Sequence, residues 1–170
     1  MLYFDIRAIE SQAQAVQGEL LAGDPIWEAD DTQPVHAVTV DGRLSAAGSG
    51  RYYFTGRLAG SVLVACRRCL VDVEAPVADE VSALFAESGL DEAEEDDVYP
   101  LSANARAIDL RSAVREAWLL AAPAFVTCRP ECRGLCPECG VDRNEVSCAC
   151  STGGSDARWD GLRALRGDLS

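Results

Sequence analysis

The chain has 170 residues, with 28 acids against 15 basic residues, every one of them arginine, for a formal charge of −13. Its 48% hydrophobic and 25% charged residues make the composition of a folded, water-soluble chain and not of a disordered one. No apolar run approaches the ~20 residues needed to cross a bilayer, and Met1–Arg7 has no basic region followed by an apolar stretch, so neither a membrane span nor a signal peptide is expected. A cytoplasmic location is the expectation. A broad phosphate-binding surface needs clustered positive charge, and the acid excess excludes one. Contact with nucleic acid must be local, or must run through a basic protein that the acidic surface attracts.

Residues 1–34 read as a lead-in with weak helical character around Glu10–Leu20, closed by turn residues at Gly23-Asp24-Pro25. From His36 to about Phe85 the pattern turns β-like. Val38 and Val40 alternate with polar neighbours, and Tyr52, Phe54, Val62, Val64, Val71, Val73, Val77 and Val81 continue the period of two. Gly42, Gly48, Gly50, Gly56 and Gly60 punctuate this stretch at hairpin-like intervals. The expectation is a meandering antiparallel sheet of four or more strands, with Cys66 and Cys69 at a turn between two of them. His36, the only histidine, is assigned no ligand role.

Glu87–Asp97 holds seven acids in eleven residues, readable as a solvated loop or as a docking strip for a basic partner. Asp109 then reads as the cap of a helix over 109–121. Its apolar face is Leu110, Ala113, Val114, Ala117, Trp118 and Ala121, with Trp118 packing it on the sheet and Pro123 ending it. Residues 151–155 form a Gly/Ser linker, followed by an amphipathic tail with Trp159, Leu162, Leu165 and Leu169. The organisation expected is an α+β domain over 1–127, a cysteine-rich module over 128–150, and a linker with a tail over 151–170.

Eight cysteines carry the chemistry: Cys66, Cys69, Cys128, Cys132, Cys136, Cys139, Cys148 and Cys150. Pairs spaced C-x2-C in a chain without an export signal point to metal before disulfides or free redox thiols. Cys136-Pro137-Glu138-Cys139-Gly140 is the strongest element, because a glycine after the second thiolate relieves crowding where backbone amides fold toward sulfur. Two pairings can be drawn. One joins Cys66 and Cys69 to Cys128 and Cys132, and Cys136 and Cys139 to Cys148 and Cys150; the other joins Cys66 and Cys69 to Cys136 and Cys139. The first is preferred, since eight residues between Cys139 and Cys148 suffice to close a local loop. Either gives two four-thiolate Zn²⁺ sites with no open position, which makes them structural. There is no Gly-rich phosphate loop, no H-E-x-x-H and no histidine pair for a nucleophile, so no enzyme and no small-molecule substrate are expected. Arg67 and Arg68, inside the first turn, are the candidate RNA-contacting residues; the alternative is that they pair with nearby acids.

Several of these residues together resemble the YceD family, the large ribosomal RNA subunit accumulation proteins. They are Cys66-Arg67-Arg68-Cys69-Leu70 after a β meander, Ile108-Asp109-Leu110 opening a helix, and Cys132-Arg133-Gly134-Leu135-Cys136-Pro137-Glu138-Cys139-Gly140. Asn144, Cys148-Ala149-Cys150 and Asp156-Ala157-Arg158-Trp159 continue the match, which runs in order from about residue 50 to 165. The resemblance implies a bacterial cytoplasmic protein that supports 23S rRNA accumulation and large-subunit assembly, with no enzymatic activity. Its expected partners are precursor rRNA or a basic ribosomal protein, the latter favoured by the charge. A redox-responsive zinc-thiolate chaperone is the alternative of a different class.

Overall fold

The computed structural model describes residues 2–90, 97–102 and 104–150. Asp91–Asp96 of the acidic run and the linker and tail over 151–170 lie outside the described residues. The chain divides into two units. Unit 1 comprises Met1–Val64 and Asp72–Val126; unit 2 comprises Ala65–Val71 and the chain from Thr127 onward.

Unit 1 is α+β. Its elements are β1 (Tyr3–Asp5), α1 (Ile6–Ser11), β2 (Gln14–Leu20), β3 (Val38–Gly48), β4 (Arg51–Ala65, whose last residue belongs to unit 2), β5 (Asp72–Glu87), β6 (Val98–Leu101), β7 (Ala107–Asp109) and α2 (Arg111–Ala121). Five strands form one sheet in the order β2-β3-β4-β5-β6, and β1 pairs with β7 in a separate two-stranded sheet. The expected alternation holds for Val38, Val40, Tyr52, Phe54, Val62, Val77 and Val81, all buried in one core with Leu58 and Trp118, while Val64 is only partly buried and Val71 is exposed between β4 and β5.

Four expectations are corrected. The sheet is not wholly antiparallel, because β6 runs parallel to β5, Leu84 opposite Val98 through Glu87 opposite Leu101. A parallel neighbour requires a return connection between the two strands. β6 is an edge strand, where Pro100 costs no ladder bond. Second, Glu10–Leu20 is not helical: a short helix ends at Ser11 and β2 follows. Val16 and Leu20 are both buried, with Gly18 between them on the same face. Because Gly18 has no side chain, this inward period of two looks like a helical spacing of four.

Third, Gly42, Gly56 and Gly60 are not turn residues but lie inside β3 and β4. Gly42 faces Gly56 across the pair. A Cβ on either would come within 2.9 Å of the Phe54 ring, and one on Gly60 within 2.9 Å of Trp118. The glycines make room for aromatic rings to lie against the strands. Fourth, α2 starts at Arg111 and not at 109, because Asp109 is the last residue of β7 and pairs with Tyr3. Asp109 still caps the helix as expected, its carboxylate accepting from the free Arg111 amide at 3.0 Å and from the Arg111 guanidinium at 2.8 Å.

The helix packs as the periodicity predicts. Leu110, Ala113, Val114 and Trp118 are fully buried, and the helix ends at Ala121, two residues before Pro123. Its polar side fastens the irregular stretch between β2 and β3. Arg111 reaches Asp24 at 3.1 Å, Arg115 reaches Asp31 at 2.6 Å and Glu28 at 2.9 Å, and the Trp118 indole donates to the Thr32 carbonyl at 2.7 Å. No helix among the described residues is long and apolar enough to cross a membrane.

Candidate metal centres

Unit 2 contains two turns of the same construction. In the first, the Cys66 amide donates to the Val71 carbonyl at 2.8 Å, and the Leu70 amide donates back to the Cys66 carbonyl at 2.9 Å. In the second, Cys136 and Val141 make the same bond at 2.8 Å, and Gly140 and Cys136 the same return at 2.9 Å. Each loop turns its amides inward and presents two sulfurs on one side. Such a turn requires a left-handed residue after the second cysteine. Gly140 meets this at φ 73°, whereas the first turn places Leu70 there at φ 62°, the only non-glycine with positive φ among the described residues.

The turns gather the cysteines into two groups of four, Cys66/Cys69/Cys128/Cys132 and Cys136/Cys139/Cys148/Cys150, with the sulfurs of each group within 4.8 Å of one another. This is the preferred pairing of the sequence analysis. A tetrahedral ion with metal–sulfur bonds of about 2.3 Å needs sulfurs about 3.8 Å apart. Cys69 and Cys128 lie at 3.6 Å and Cys66 and Cys132 at 3.9 Å, far beyond the ~2.05 Å of a disulfide. Both groups could therefore hold a metal ion, and the residues present fit one.

The surroundings favour thiolate at Cys66, Cys132 and Cys136 and oppose it at Cys69, Cys128, Cys148 and Cys150. The Cys128 amide, bonded to the Cys66 sulfur at 3.3 Å, holds the Cys66 thiol down at about 6. Backbone amides of Cys139 and Glu138 likewise hold Cys136 at about 6. The last protons are harder to remove: burial and the neighbouring sulfurs push Cys128 up to about 12, and hydrogen bonding to Cys139 pushes Cys150 up to about 12. Four crowded sulfurs cannot all ionise unaided, and a bound divalent cation removes this penalty.

Residues 54–166 match the family described as large ribosomal RNA subunit accumulation protein YceD. The chain belongs to this family. It is 36% identical over 104 residues to an uncharacterised protein of Mycobacterium tuberculosis and, to the same extent, to one of Mycobacterium bovis, each match covering 60% of this chain and 49% of the relative. It is 31% identical over 118 residues to the uncharacterised protein YlbN of Bacillus subtilis, covering 69% of this chain and 67% of that one. The chain thus spans about half the length of the mycobacterial relatives it matches. No solved structure matches it. The family's description refers to accumulation of the large ribosomal RNA subunit.

All eight cysteines of this YceD chain lie inside the matched segment. The two arginines of the first turn differ from each other. Arg67 is exposed and has no hydrogen-bond or ionic partner among the described residues. Arg68 is exposed too, but its Nη1 donates to the carbonyls of Cys132 at 2.8 Å and Pro130 at 3.3 Å, bracing the first cysteine group. Arg133 and Arg143 line a cleft of about 80 Å³ with Cys136, Cys148 and Cys150, placing positive charge beside the second. His36 is exposed in the stretch before β3. Two features escaped the sequence reading. Leu70 could have been found by laying Cys66–Val71 over Cys136–Val141. The role of Asn144, which donates to the Cys132 sulfur at 3.5 Å, has no local signal because its target is twelve residues away.

Proposed function

We propose that the chain is a non-enzymatic cytoplasmic factor in large ribosomal subunit assembly, holding one structural Zn²⁺ in each cysteine group. The observation that carries this reading is the pair of four-sulfur clusters within the YceD-matched segment. All-sulfur tetrahedral donor sets suit Zn²⁺, and a site whose four positions are all protein sulfur leaves no place for water or substrate. The ion supplies a rigid cross-link and neutralises thiolate charge. The chain's own contribution is to hold Arg67 at a fixed point of an exposed turn, where a guanidinium can bond a phosphate of 23S rRNA. Arg68 keeps that turn in place. Unit 1, with sixteen acids against seven arginines among its described residues, attracts a basic ribosomal protein.

Sedimentation of cell extract tests this reading. The chain should travel with precursor large subunits, and Arg67→Ala should weaken that association and lower its salt dependence by about one phosphate contact. A chain that stays at the top of the gradient even at low salt would sink the proposal. Exposure of Cys139 and Cys150 in the second group favours a second reading, a redox-responsive chaperone. Peroxide would then release zinc and elicit protection of an unfolded client. Zinc release without such protection excludes it.

A further inference from the structure

The two cysteine groups share their surroundings, and Asn144 is the residue that joins them. Only Arg133, Gly134 and Leu135 separate Cys132 of the first group from Cys136 of the second. These three residues are bonded on both sides. The Leu135 amide donates to the Arg68 carbonyl of the first turn at 2.8 Å, and the Gly134 carbonyl accepts from the Arg143 amide at 2.9 Å. Gly134 is held at φ 68°, and a Cβ there would lie 2.8 Å from the Arg68 carbonyl oxygen. Nothing larger fits.

Asn144 sits in the loop between Cys139 and Cys148, which the second group closes. Its amide orientation is decided by its partners: the Arg133 amide donates to Oδ1 at 2.8 Å, so Nδ2 must face the other way. Nδ2 donates to Asp142 Oδ1 at 2.6 Å and to the Cys132 sulfur at 3.5 Å. A loop ordered by one metal site thus delivers a hydrogen-bond donor to a thiolate of the other. Donors of this kind orient a ligand and stabilise its charge, and their removal commonly costs 10–100-fold in metal affinity.

We infer that the two sites load cooperatively, with Asn144 as the positioning residue that couples them. This rests on the metal-binding reading above. Filling the second group orders residues 140–147, sets Asn144 against Cys132 and tightens the first; by linkage, filling the first tightens the second by the same factor. The ligand class is a thiophilic divalent cation, with Cd²⁺ as a probe whose NMR signal distinguishes the sites.

The test uses the full chain freed of metal and titrated with Cd²⁺, read by native mass spectrometry and cadmium NMR. At half saturation the one-metal species should fall well below the about one half expected of independent equal sites. Asn144→Asp keeps the acceptor for Arg133 but removes the donor to sulfur. It should weaken the first site roughly tenfold or more and shift its cadmium signal, while the second site still fills. Cys148→Ser with Cys150→Ser, which deletes the second site without touching Asn144, should weaken the first comparably. Asn144→Asp added to that background should then cost much less than in the intact chain. Two bound ions with a statistical one-metal population, or first-site affinity within about twofold of the parent in both variants, would overturn the coupling and leave the metal reading intact. A chain that binds no Cd²⁺ overturns both.

Discussion

Units 1 and 2 bury different kinds of side chain. In unit 1 the core among the described residues is built of Leu, Ile, Val, Ala, Phe, Tyr and Trp side chains, gathered between a five-stranded sheet and α2. In unit 2 the buried apolar side chains among the described residues are all cysteines: Cys66, Cys69, Cys132 and Cys136. The charge differs in the same sense. Unit 1 carries sixteen acids and seven arginines among its described residues, a net −9. Unit 2 carries four acids and five arginines, a net +1 before any thiolate is counted. A segment too short to enclose an apolar core can still fold if ligation replaces hydrophobic burial. Such a segment is also released from the need for apolar sequence, so its surface can be arginine-rich while the larger unit stays acidic.

The strongest way to break this comparison is to withdraw the metal proposed for the two cysteine groups. A structural zinc site contributes on the order of 10 kcal/mol or more to folding. Chelation should therefore unfold unit 2 and open residues 127–150 to protease, while the far-ultraviolet circular dichroism of the sheet persists. Continued protection of 127–150 in strong chelator would mean that the sulfurs are not what holds unit 2. The converse perturbation is Trp118→Ala. Loss of this fully buried ring and its bond to Thr32 should cost unit 1 roughly 3–5 kcal/mol, seen as a lower denaturant midpoint with two metals still bound.

A smaller effect compares the two turns within unit 2. Leu70 holds a left-handed conformation that disfavours any side chain, and it is 64% exposed. Leu70→Gly should stabilise unit 2 by up to about 1 kcal/mol after the added freedom of the unfolded glycine is subtracted. Gly140→Ala should do the opposite by about 1 kcal/mol, for backbone reasons alone, since among the described residues no atom beyond its chain neighbours lies within 4 Å of the added methyl. Chelator-competition midpoints for the two variants should move in opposite directions. The smallest effect is confined to unit 1 at acid pH. The hydrogen bond from Arg115 holds the Asp31 carboxyl below its usual range, so the pair's stabilisation is complete above the ordinary carboxylate pKa. It is lost as pH falls through the lowered value. Arg115→Met should flatten this acid limb of the thermal midpoint and leave the midpoint's slope near neutrality unchanged.

Legibility followed the range of the interactions. The strands with inward Val, Tyr and Phe were readable because a period of two is a local property, and α2 was readable for the same reason at a period near 3.6. β2 was not, because Gly18 erased one inward position, and β6 was not, because four residues with a proline carry too little pattern. The left-handed Leu70 was hidden by being the wrong residue type for its conformation, and only its resemblance in construction to the second turn exposes it.

The spacing of the cysteines determined by itself that eight sulfurs would form two sets of four, since C-x2-C turns present paired ligands whatever surrounds them. Which pairs share a site was decided only in three dimensions, because Cys66 and Cys128 lie sixty-two positions apart in the chain and no local pattern specifies how the segment between them folds. The same holds for the division between Arg67 and Arg68, adjacent and chemically identical. One is left to solvent and the other is spent on the carbonyls of Pro130 and Cys132, because a side chain's role is set by what the fold places within about 3 Å of it.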